Sequence, residues 1–189
     1  MRDLAIIFAR APRLGTVKRR LAHDIGDRAA LRFHRTMLNG LIRDLARDRR
    51  FDTVLVLTPD RGRFRSPIPI RTLPQGHGDL GVRMARALSR AHRAVLVGCD
   101  IPGVGTADIV TAFRALGRAD AVFGPAEDGG YWLVGQGPRR ASQPFARVRW
   151  SSEHALADTL RNFRWQRTAL LRYRRDVDTI ADLPMGITY

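Results

Sequence analysis

The fold is decided by the first apolar run and the loop after it, residues 4–21, which read LAIIFARAPRLGTVKRRL. The apolar run Leu4–Ala9 is far shorter than the roughly 18 apolar residues of a membrane span, and Leu4–Phe8 within it is typical of a buried strand. The Pro- and Gly-containing stretch Arg10–Thr16 predicts a loop, and Val17–Ala22 a short helix. A buried strand that leads through a loop into a helix is typical of an α/β sheet.

Strand-like and helix-like segments alternate along the rest of the chain. Apolar residues at near-helical spacing from Leu31 to Leu45 predict a long helix, which we interpret as scaffold packed on a sheet. The other expected strands are Thr53–Leu57, Ile70–Leu73, Ala94–Val97, Ala121–Phe123, Tyr131–Val134 and the extended segment Thr168–Tyr173. The other expected helices are Asp79–Ala91, one capped by Thr106 that ends at Leu116, and one capped by Ser151 or Ser152.

This alternation predicts a single α/β domain over residues 1–189, with a mostly parallel sheet and helices on both faces. Hydrophobic residues make up 44% of the 189 residues, enough for a substantial core. The single cysteine, Cys99, excludes an internal disulfide. The sequence has no run of membrane length and no signal-peptide pattern, which favours a cytoplasmic protein without a membrane span.

The formal net charge of +15 invites a nucleic-acid interpretation. The arginines are scattered, however, and no nucleic-acid-binding motif or row of stacking aromatics accompanies them. We therefore expect no specific nucleic-acid partner. More informative is Lys18, the only lysine among the 33 basic residues. It stands in the first loop, where a compact ammonium is a common phosphate ligand.

The loop after the first strand is rich in positive charge. Five basic residues surround Gly15 at a strand-to-helix junction, namely Arg10, Arg13, Lys18, Arg19 and Arg20. Backbone N–H groups at such a junction favour an anion, so a di- or triphosphate is the expected ligand. The loop lacks both the Walker A and the Rossmann glycine patterns. A solvated basic turn is the alternative interpretation.

Acidic residues offer a candidate metal site. Asp100 ends an apolar strand, which places its carboxylate at the sheet edge, where hard cations are held beside phosphates. Asp176 and Asp178 form an Asp-x-Asp pair near the end of the chain and are the candidate partners. A turn former at Asp100 and a helix cap at Asp178 are the alternatives.

Two glycine-rich loops contain the remaining candidate functional residues. The stretch Glu127–Trp132 combines acids, Gly129, Gly130 and the aromatic Tyr131, which suits acceptor binding or base catalysis; a plain hairpin turn is the alternative. The stretch Gln75–Gly81 precedes a helix and suits a base or ribose pocket. Its His77 is interpreted as an exposed loop residue.

Taken together, five blocks in the same order resemble the DUF2064, or selenodomain-associated transferase 1, family of the GT-A (nucleotide-diphospho-sugar transferase) superfamily. The matching blocks are Arg10–Leu21, Asp79–Met84, Gly98–Pro102, Gly124–Tyr131 and Asp176–Thr179. Three residues depart from the family pattern. Arg10 and Arg19 replace Lys and Thr and keep or add positive charge, whereas Val82 replaces Glu and removes a carboxylate.

The resemblance implies a GT-A fold with phosphates at Lys18 and Arg20 and a Mg²⁺ or Mn²⁺ ion at Asp100, joined by Asp176. With the loops above, the expected nucleotide-binding residues are Arg10, Gly15, Lys18, Arg20, Gly78, Asp79 and Gly81. The expected acceptor-binding residues are Glu127, Asp128, Gly129, Gly130 and Tyr131. The expected metal ligands are Asp100, Asp176 and Asp178. The expected catalytic residues are Lys18, Asp100 and Asp128.

The resemblance leaves two reactions open. The first is glycosyl transfer from a nucleotide sugar to a small-molecule acceptor. The second is nucleotidyl transfer from a nucleoside triphosphate to a phosphorylated acceptor, with release of pyrophosphate, as in molybdopterin and phospholactate nucleotidyltransferases. A non-catalytic nucleotide-binding protein, as a monomer or homodimer, is the hypothesis from another class.

Overall fold

The computed structural model describes residues 2–62 and 64–175, in which seven strands form one sheet. The strands are β1 (Leu4–Arg10), β2 (Asp52–Thr58), β3 (Arg71–Pro74), β4 (Ala94–Gly98), β5 (Ala121–Pro125), β6 (Tyr131–Gln136) and β7 (Thr168–Leu170). Their order across the sheet is β3-β2-β1-β4-β6-β5-β7. Strand β6 is antiparallel to both β4 and β5, and the other neighbouring pairs are parallel. The predicted mostly parallel sheet is confirmed.

Helices cover the sheet on both faces, as the continuous apolar strands predicted. They are α1 (Arg19–Ile25), α2 (Asp27–Ala46), α3 (Leu80–Leu88), α4 (Thr106–Ala115) and α5 (Ala155–Asn162). Side chains alternate along β1, so that Ile7 packs in one core with α2 and α4, while Ile6 packs in the other with α3 and α5. Each face of the central strands is therefore buried.

Two predicted helix caps are wrong. The N-cap of α4 is Gly105, and Asp108 accepts its N–H at 3.1 Å. The backbone N–H of Thr106 donates instead to a carboxylate oxygen of Asp44 at 2.6 Å, and its hydroxyl donates to the Asp44 carbonyl. The N-cap position of helix α5 is His154, whose side chain makes no cap bond. Ser152 lies two residues earlier, and its hydroxyl accepts the His154 N–H at 3.3 Å in the turn ahead of the helix.

Several boundaries also differ from the sequence prediction. Helix α1 begins at Arg19 because Lys18, which precedes it, has a left-handed backbone with φ 47° and ψ 51°. Helix α3 ends at Leu88, and β7 is only three residues long within the predicted extended segment. Among the helices of residues 2–62 and 64–175, none has both the length and the apolar character needed to cross a bilayer.

The sheet topology brings the ends of β1, β2, β3 and β4 to one edge, because these four strands are parallel neighbours. In open α/β sheets, ligands bind at the carboxyl ends of the strands. The reversed strand β6 begins at this same edge, with Tyr131 opposite Pro125 at the end of β5.

Candidate active site

Lys18 and Asp100 lie together at this edge. Lys18 ends the loop after β1, and its side chain is only 6% exposed. Its left-handed conformation costs roughly 1–2 kcal/mol for a residue with a side chain, which the surroundings must offset. The ammonium Nζ lies 3.5 Å from Oδ1 of Asp100, which follows β4. The loop of β1 and the turn after β4 thus bring a cation and an anion into contact.

Asp100 is ionised at neutral pH. Burial raises the pKa of its carboxyl, but the contact with His34 and the charge of Lys18 outweigh burial and hold that pKa at about 2. The side chain still keeps 45% of its surface exposed. The carboxylate is therefore both charged and open to a ligand.

His34 joins the pair from helix α2. The residue is 3% exposed, and its Nε2 lies 3.0 Å from the carbonyl oxygen of Arg10. Because a carbonyl can only accept, Nε2 must carry the hydrogen. The other ring nitrogen, Nδ1, lies 3.5 Å from Oδ1 of Asp100. This distance is at the outer limit of a hydrogen bond, so Nδ1 makes no normal hydrogen bond with the carboxylate.

The first cavity at this edge, which we call the basic cavity, has a volume of about 400 Å³. Its charged and imidazole side chains come from Arg10, Lys18, Arg19, His34, Arg83 and Asp100. Four cationic residues and one carboxylate are thus among the residues that line the cavity. Such a concentration of positive charge suits the phosphates of a nucleotide.

Arg83 is held at this cavity by a buried glutamine. Gln75 is 3% exposed, and its side-chain N–H group donates to the Ala9 carbonyl at 3.0 Å. The amide oxygen is therefore turned towards Arg83, whose Nη1 donates to it at 2.9 Å. Arg83 Nε also donates to the Asp79 carbonyl. These bonds limit the freedom of the guanidinium before any ligand arrives.

A second cavity, which we call the apolar cavity, has a volume of about 270 Å³ and shares Asp100 with the basic cavity. Its lining includes Phe8, Leu80, Met84, Leu96 and Tyr131. The Tyr131 hydroxyl lies 3.4 Å from Thr159 Oγ1, and burial raises the pKa of Tyr131 well above its usual value, so the phenol stays neutral. The two cavities meet at one charged group.

The predicted nucleotide-binding residues are only partly brought together. Arg10 and Lys18 line the basic cavity, whereas Gly15, Arg20, Gly78, Asp79 and Gly81 line neither cavity. Asp79 instead caps α3, accepting the Val82 N–H at 2.8 Å. Gly81 packs against Phe145, where a Cβ atom would lie 2.7 Å from the Phe145 Cβ. His77 is exposed.

The predicted acceptor loop forms the hairpin turn between β5 and β6. Asp128 Oδ1 accepts the Gly130 N–H at 2.9 Å, which closes the turn. Gly129 has φ 82°, and a Cβ atom there would lie 2.1 Å from the Glu153 carbonyl oxygen. Residues 127–130 line neither cavity, and only Tyr131 does. The alternative interpretation, a hairpin, describes the backbone of this loop.

Asp176 and Asp178 lie outside the described residues. The described chain approaches the site just before them, because the backbone of Arg174 bonds to Pro125 and Glu127 at the end of β5. The Arg174 guanidinium donates to Asp108 at 2.7 Å and to the carbonyl of Pro102, two residues after Asp100, at 3.4 Å.

The residues around Asp100 fit a divalent cation. Ligand atoms of His34, Cys99 and Asp100 lie within 4.8 Å of one another. Imidazole and carboxylate groups are common ligands of divalent metals. Burial raises the pKa of the Cys99 thiol well above its usual range, so that group is neutral in the structure. His34 and Asp100 are therefore the stronger pair of donors.

The sequence interpretation missed His34 and Arg83. A signal for each was present. His34 is a polar residue between Ala30 and Leu38 on the buried face of α2, the helix interpreted as scaffold. Arg83 belongs to the block Asp79–Met84 that carried the family resemblance.

Comparison with known proteins gives the family. Residues 41–152, more than half of the chain, match DUF2064, described as "Uncharacterized protein conserved in bacteria". No curated protein matches the sequence.

Among solved structures, one of the most similar is a Desulfovibrio desulfuricans G20 protein described as a "putative nucleotide-diphospho-sugar transferase". It has a TM-score of 0.83 and 27% identity, over 94% of this chain and 82% of that one. The fold is therefore that of the nucleotide-diphospho-sugar transferases.

More distant structures share the fold alone. Rv0371c of Mycobacterium tuberculosis H37Rv, in complex with manganese, has a TM-score of 0.54 and 19% identity over 96% of both chains. The 4-diphosphocytidyl-2C-methyl-D-erythritol synthase of Anaerococcus prevotii DSM 20548 has a TM-score of 0.59 and 11% identity over 95% of this chain and 94% of that one.

Proposed function

This chain belongs to the DUF2064 family of bacterial proteins, and we propose that it is a metal-dependent transferase acting on a nucleotide-activated substrate. The observation that carries the proposal is the contact of Lys18 with Asp100 at the mouth of the basic cavity. A lone lysine and an ionised carboxylate at the carboxyl edge of a parallel sheet are the groups that phosphate binding and a divalent cation require. The similarity to the Desulfovibrio protein supports the same reaction class.

In the proposed mechanism, the phosphates of the donor occupy the basic cavity. Lys18 and Arg83 contact the phosphate oxygens and neutralise the charge that grows on the leaving group. A bound Mg²⁺ or Mn²⁺ would add Lewis-acid stabilisation of the same charge, and the manganese complex of Rv0371c supports such a role. Asp100 and His34 are the residues that would hold the ion.

We place the acceptor in the apolar cavity, which meets the basic cavity at Asp100. Its wall of Phe8, Met84 and Tyr131 suits an acceptor with a compact uncharged body, and the reacting end would face Asp100. The earlier assignment of residues 127–130 to the acceptor, with Asp128 as a catalytic group, stays a prediction. The buried free thiol of Cys99 is in keeping with a cytoplasmic enzyme.

Nucleotidyl transfer is the second candidate. It is favoured by the four cationic side chains of the basic cavity, since a triphosphate carries more charge than a diphosphate sugar. Glycosyl transfer is favoured by the description of the Desulfovibrio protein. The products separate the two reactions, because glycosyl transfer releases a nucleoside diphosphate or monophosphate and nucleotidyl transfer releases pyrophosphate.

A thermal-shift panel tests the proposal. Nucleoside di- and triphosphates and nucleotide sugars are added with and without Mg²⁺ or Mn²⁺, and a ligand that binds only the folded protein raises the melting temperature. We expect a metal-dependent shift with at least one nucleotide. Lys18→Met should reduce it strongly, whereas Arg118→Met, an exposed arginine beyond α4, should not.

Turnover is then measured with the nucleotide that binds. A shift without product in the presence of a broad set of acceptors would favour the non-catalytic hypothesis. No shift with any nucleotide would refute the proposed function.

A further inference from the structure

We propose that Nδ1 of His34 is a metal ligand, which together with the Asp100 carboxylate selects Mn²⁺ over Mg²⁺. The inference rests on the proposed function, which calls for a divalent cation beside the phosphates. Neither the family pattern nor the comparisons assign any role to His34, which lies in the middle of α2.

The first observation is the orientation of the imidazole ring. Its Nε2–H donates to the Arg10 carbonyl, so in the neutral ring Nδ1 carries the lone pair. Metal-binding histidines generally donate their other ring N–H to a carbonyl or carboxylate, which fixes the tautomer and the ring orientation. His34 already has this second contact, supplied by the last residue of β1.

The second observation is that Nδ1 is buried and makes no hydrogen bond with any group of residues 2–62 and 64–175. An unsatisfied buried polar atom is costly, so it calls for a partner such as an ion or a water molecule. The atom lies 3.5 Å from Oδ1 of Asp100, and the two belong to the cluster of potential ligands within 4.8 Å. An ion bound to Nδ1 and to the Asp100 carboxylate would supply the partner that Nδ1 lacks.

Lys18 and a metal ion would both bind the Asp100 carboxylate, and this carboxylate can accommodate both. The Lys18 ammonium, the His34 ring and the Cys99 thiol all contact the same oxygen of Asp100, Oδ1. A carboxylate has a second oxygen with lone pairs of its own, so a cation and the ammonium can share the group. Lys18 and the ion then both face the phosphates.

The donor set determines which ion is preferred. Mg²⁺ favours oxygen ligands, whereas an imidazole nitrogen suits transition ions. One nitrogen and one carboxylate therefore predict tighter binding of Mn²⁺ than of Mg²⁺. Without the nitrogen, this preference should shrink.

Two substitutions separate a ligand from a positioning residue. His34→Gln places an amide near the position of Nε2. The variant can therefore keep the hydrogen bond to the Arg10 carbonyl but has no metal-binding atom at the position of Nδ1. His34→Asn places an amide near Nδ1, so it can offer an oxygen to the ion but loses the bond to Arg10. Cys99→Ala serves as the control within the same cluster.

The experiment is a titration of the full chain with MnCl₂, alone and in competition with MgCl₂, in which free Mn²⁺ is measured by electron paramagnetic resonance. Melting temperatures and circular dichroism verify that each variant is folded. We expect His34→Gln to weaken Mn²⁺ binding by at least about tenfold and to narrow the Mn²⁺ over Mg²⁺ preference. His34→Asn should be weakened less, and Cys99→Ala should bind like the unaltered protein.

Mn²⁺ binding by His34→Gln equal to that of the unaltered protein would overturn the inference, and so would a greater loss in His34→Asn than in His34→Gln. Because the titration contains no nucleotide, its outcome is independent of the thermal-shift panel. Nucleotide binding can therefore fail while the metal site stands, and the reverse also holds.

Discussion

At the scale of single residues, the site depends on side chains that are held in place before any ligand binds. Arg83 shows this most clearly, because Gln75 and the Asp79 carbonyl fix its guanidinium beside the basic cavity. Arg86, one turn further along α3, has a different task. It donates to the carbonyls of Gln75 and His77 and so secures the loop before the helix.

These two arginines should respond differently to the same substitution. Arg83→Met removes a phosphate contact, so we expect nucleotide affinity to fall by about tenfold, or roughly 1.4 kcal/mol, with little change in melting temperature. Arg86→Met should lower the melting temperature by a few degrees and change affinity much less. Isothermal titration and thermal denaturation measure the two effects, and equal losses of affinity would contradict the assignment.

The proximity of Lys18 and Asp100 could be predicted from the sequence, because each follows a strand and β1 and β4 are parallel neighbours. The contribution of His34 could not. Its place depends on how α2 packs across β1, and the apolar pattern of the helix indicates only that this face is buried. A single polar residue on such a face is the signal to follow.

At the scale of elements, helix α5 is tied to the loop before it by one carboxylate. Asp158 is only 6% exposed and accepts bonds from the guanidinium of Arg149 at 2.8 and 2.9 Å and from Arg161 at 2.9 Å. The hydrogen bond from Arg149 is the main reason that the pKa of Asp158 lies below its usual range. The same loop supplies Phe145, which packs against Gly81 of α3.

This ion pair predicts a pH-dependent contribution to stability. A depressed pKa in the folded state means that the contribution is complete above the unfolded pKa of about 3.9 and is lost as the pH falls through the folded value. Asp158→Asn should therefore lower the melting temperature at pH 7, and the difference from the unaltered protein should shrink below about pH 4. Asp52→Asn, which breaks an exposed pair with Arg2, should have little effect at either pH.

Helix ends were predicted less well than helices. Thr106 was a reasonable cap by residue type, but Asp44 of α2 takes its N–H, a contact across 62 positions that local sequence cannot reveal. Helix α1 starts later than predicted because Lys18 has a left-handed backbone, and the side chain of this residue contacts Asp100 of the turn after β4. At the start of both helices, the observed structure thus differs from the one that local helix preferences predict.

At the scale of the whole molecule, the fold could be predicted because continuous apolar strands need cover on both faces. The two cores on either side of β1 fulfil that need. Periodicity does not disclose strand direction. The hairpin interpretation of Glu127–Trp132 allowed an antiparallel β6 beside β5, but the pairing of β6 with β4 is known only from the structure.

The arrangement of two cavities around Asp100 yields a further prediction. Gly98 ends β4 and lines the apolar cavity, where an added Cβ would lie 4.0 Å from the Trp132 carbonyl oxygen and, its chain neighbours aside, close to no other atom of residues 2–62 and 64–175. Gly98→Val should fill part of this cavity, leave nucleotide affinity within about threefold, or 0.7 kcal/mol, and abolish binding of small apolar fragments in ligand-observed NMR. Gly40→Ala, on the exposed side of α2, is the control.

Strand β6 carries a consequence of its own. In a sheet whose strands are all parallel, the carboxyl edge contains only the last residues of the strands and the loops that follow them. The antiparallel strand β6 begins at that edge instead, so its first residue, Tyr131, lies beside the last residues of the neighbouring strands. A change in the hairpin ahead of Tyr131 can therefore reach one wall of the site through that residue, without altering the loops that leave β1 and β4.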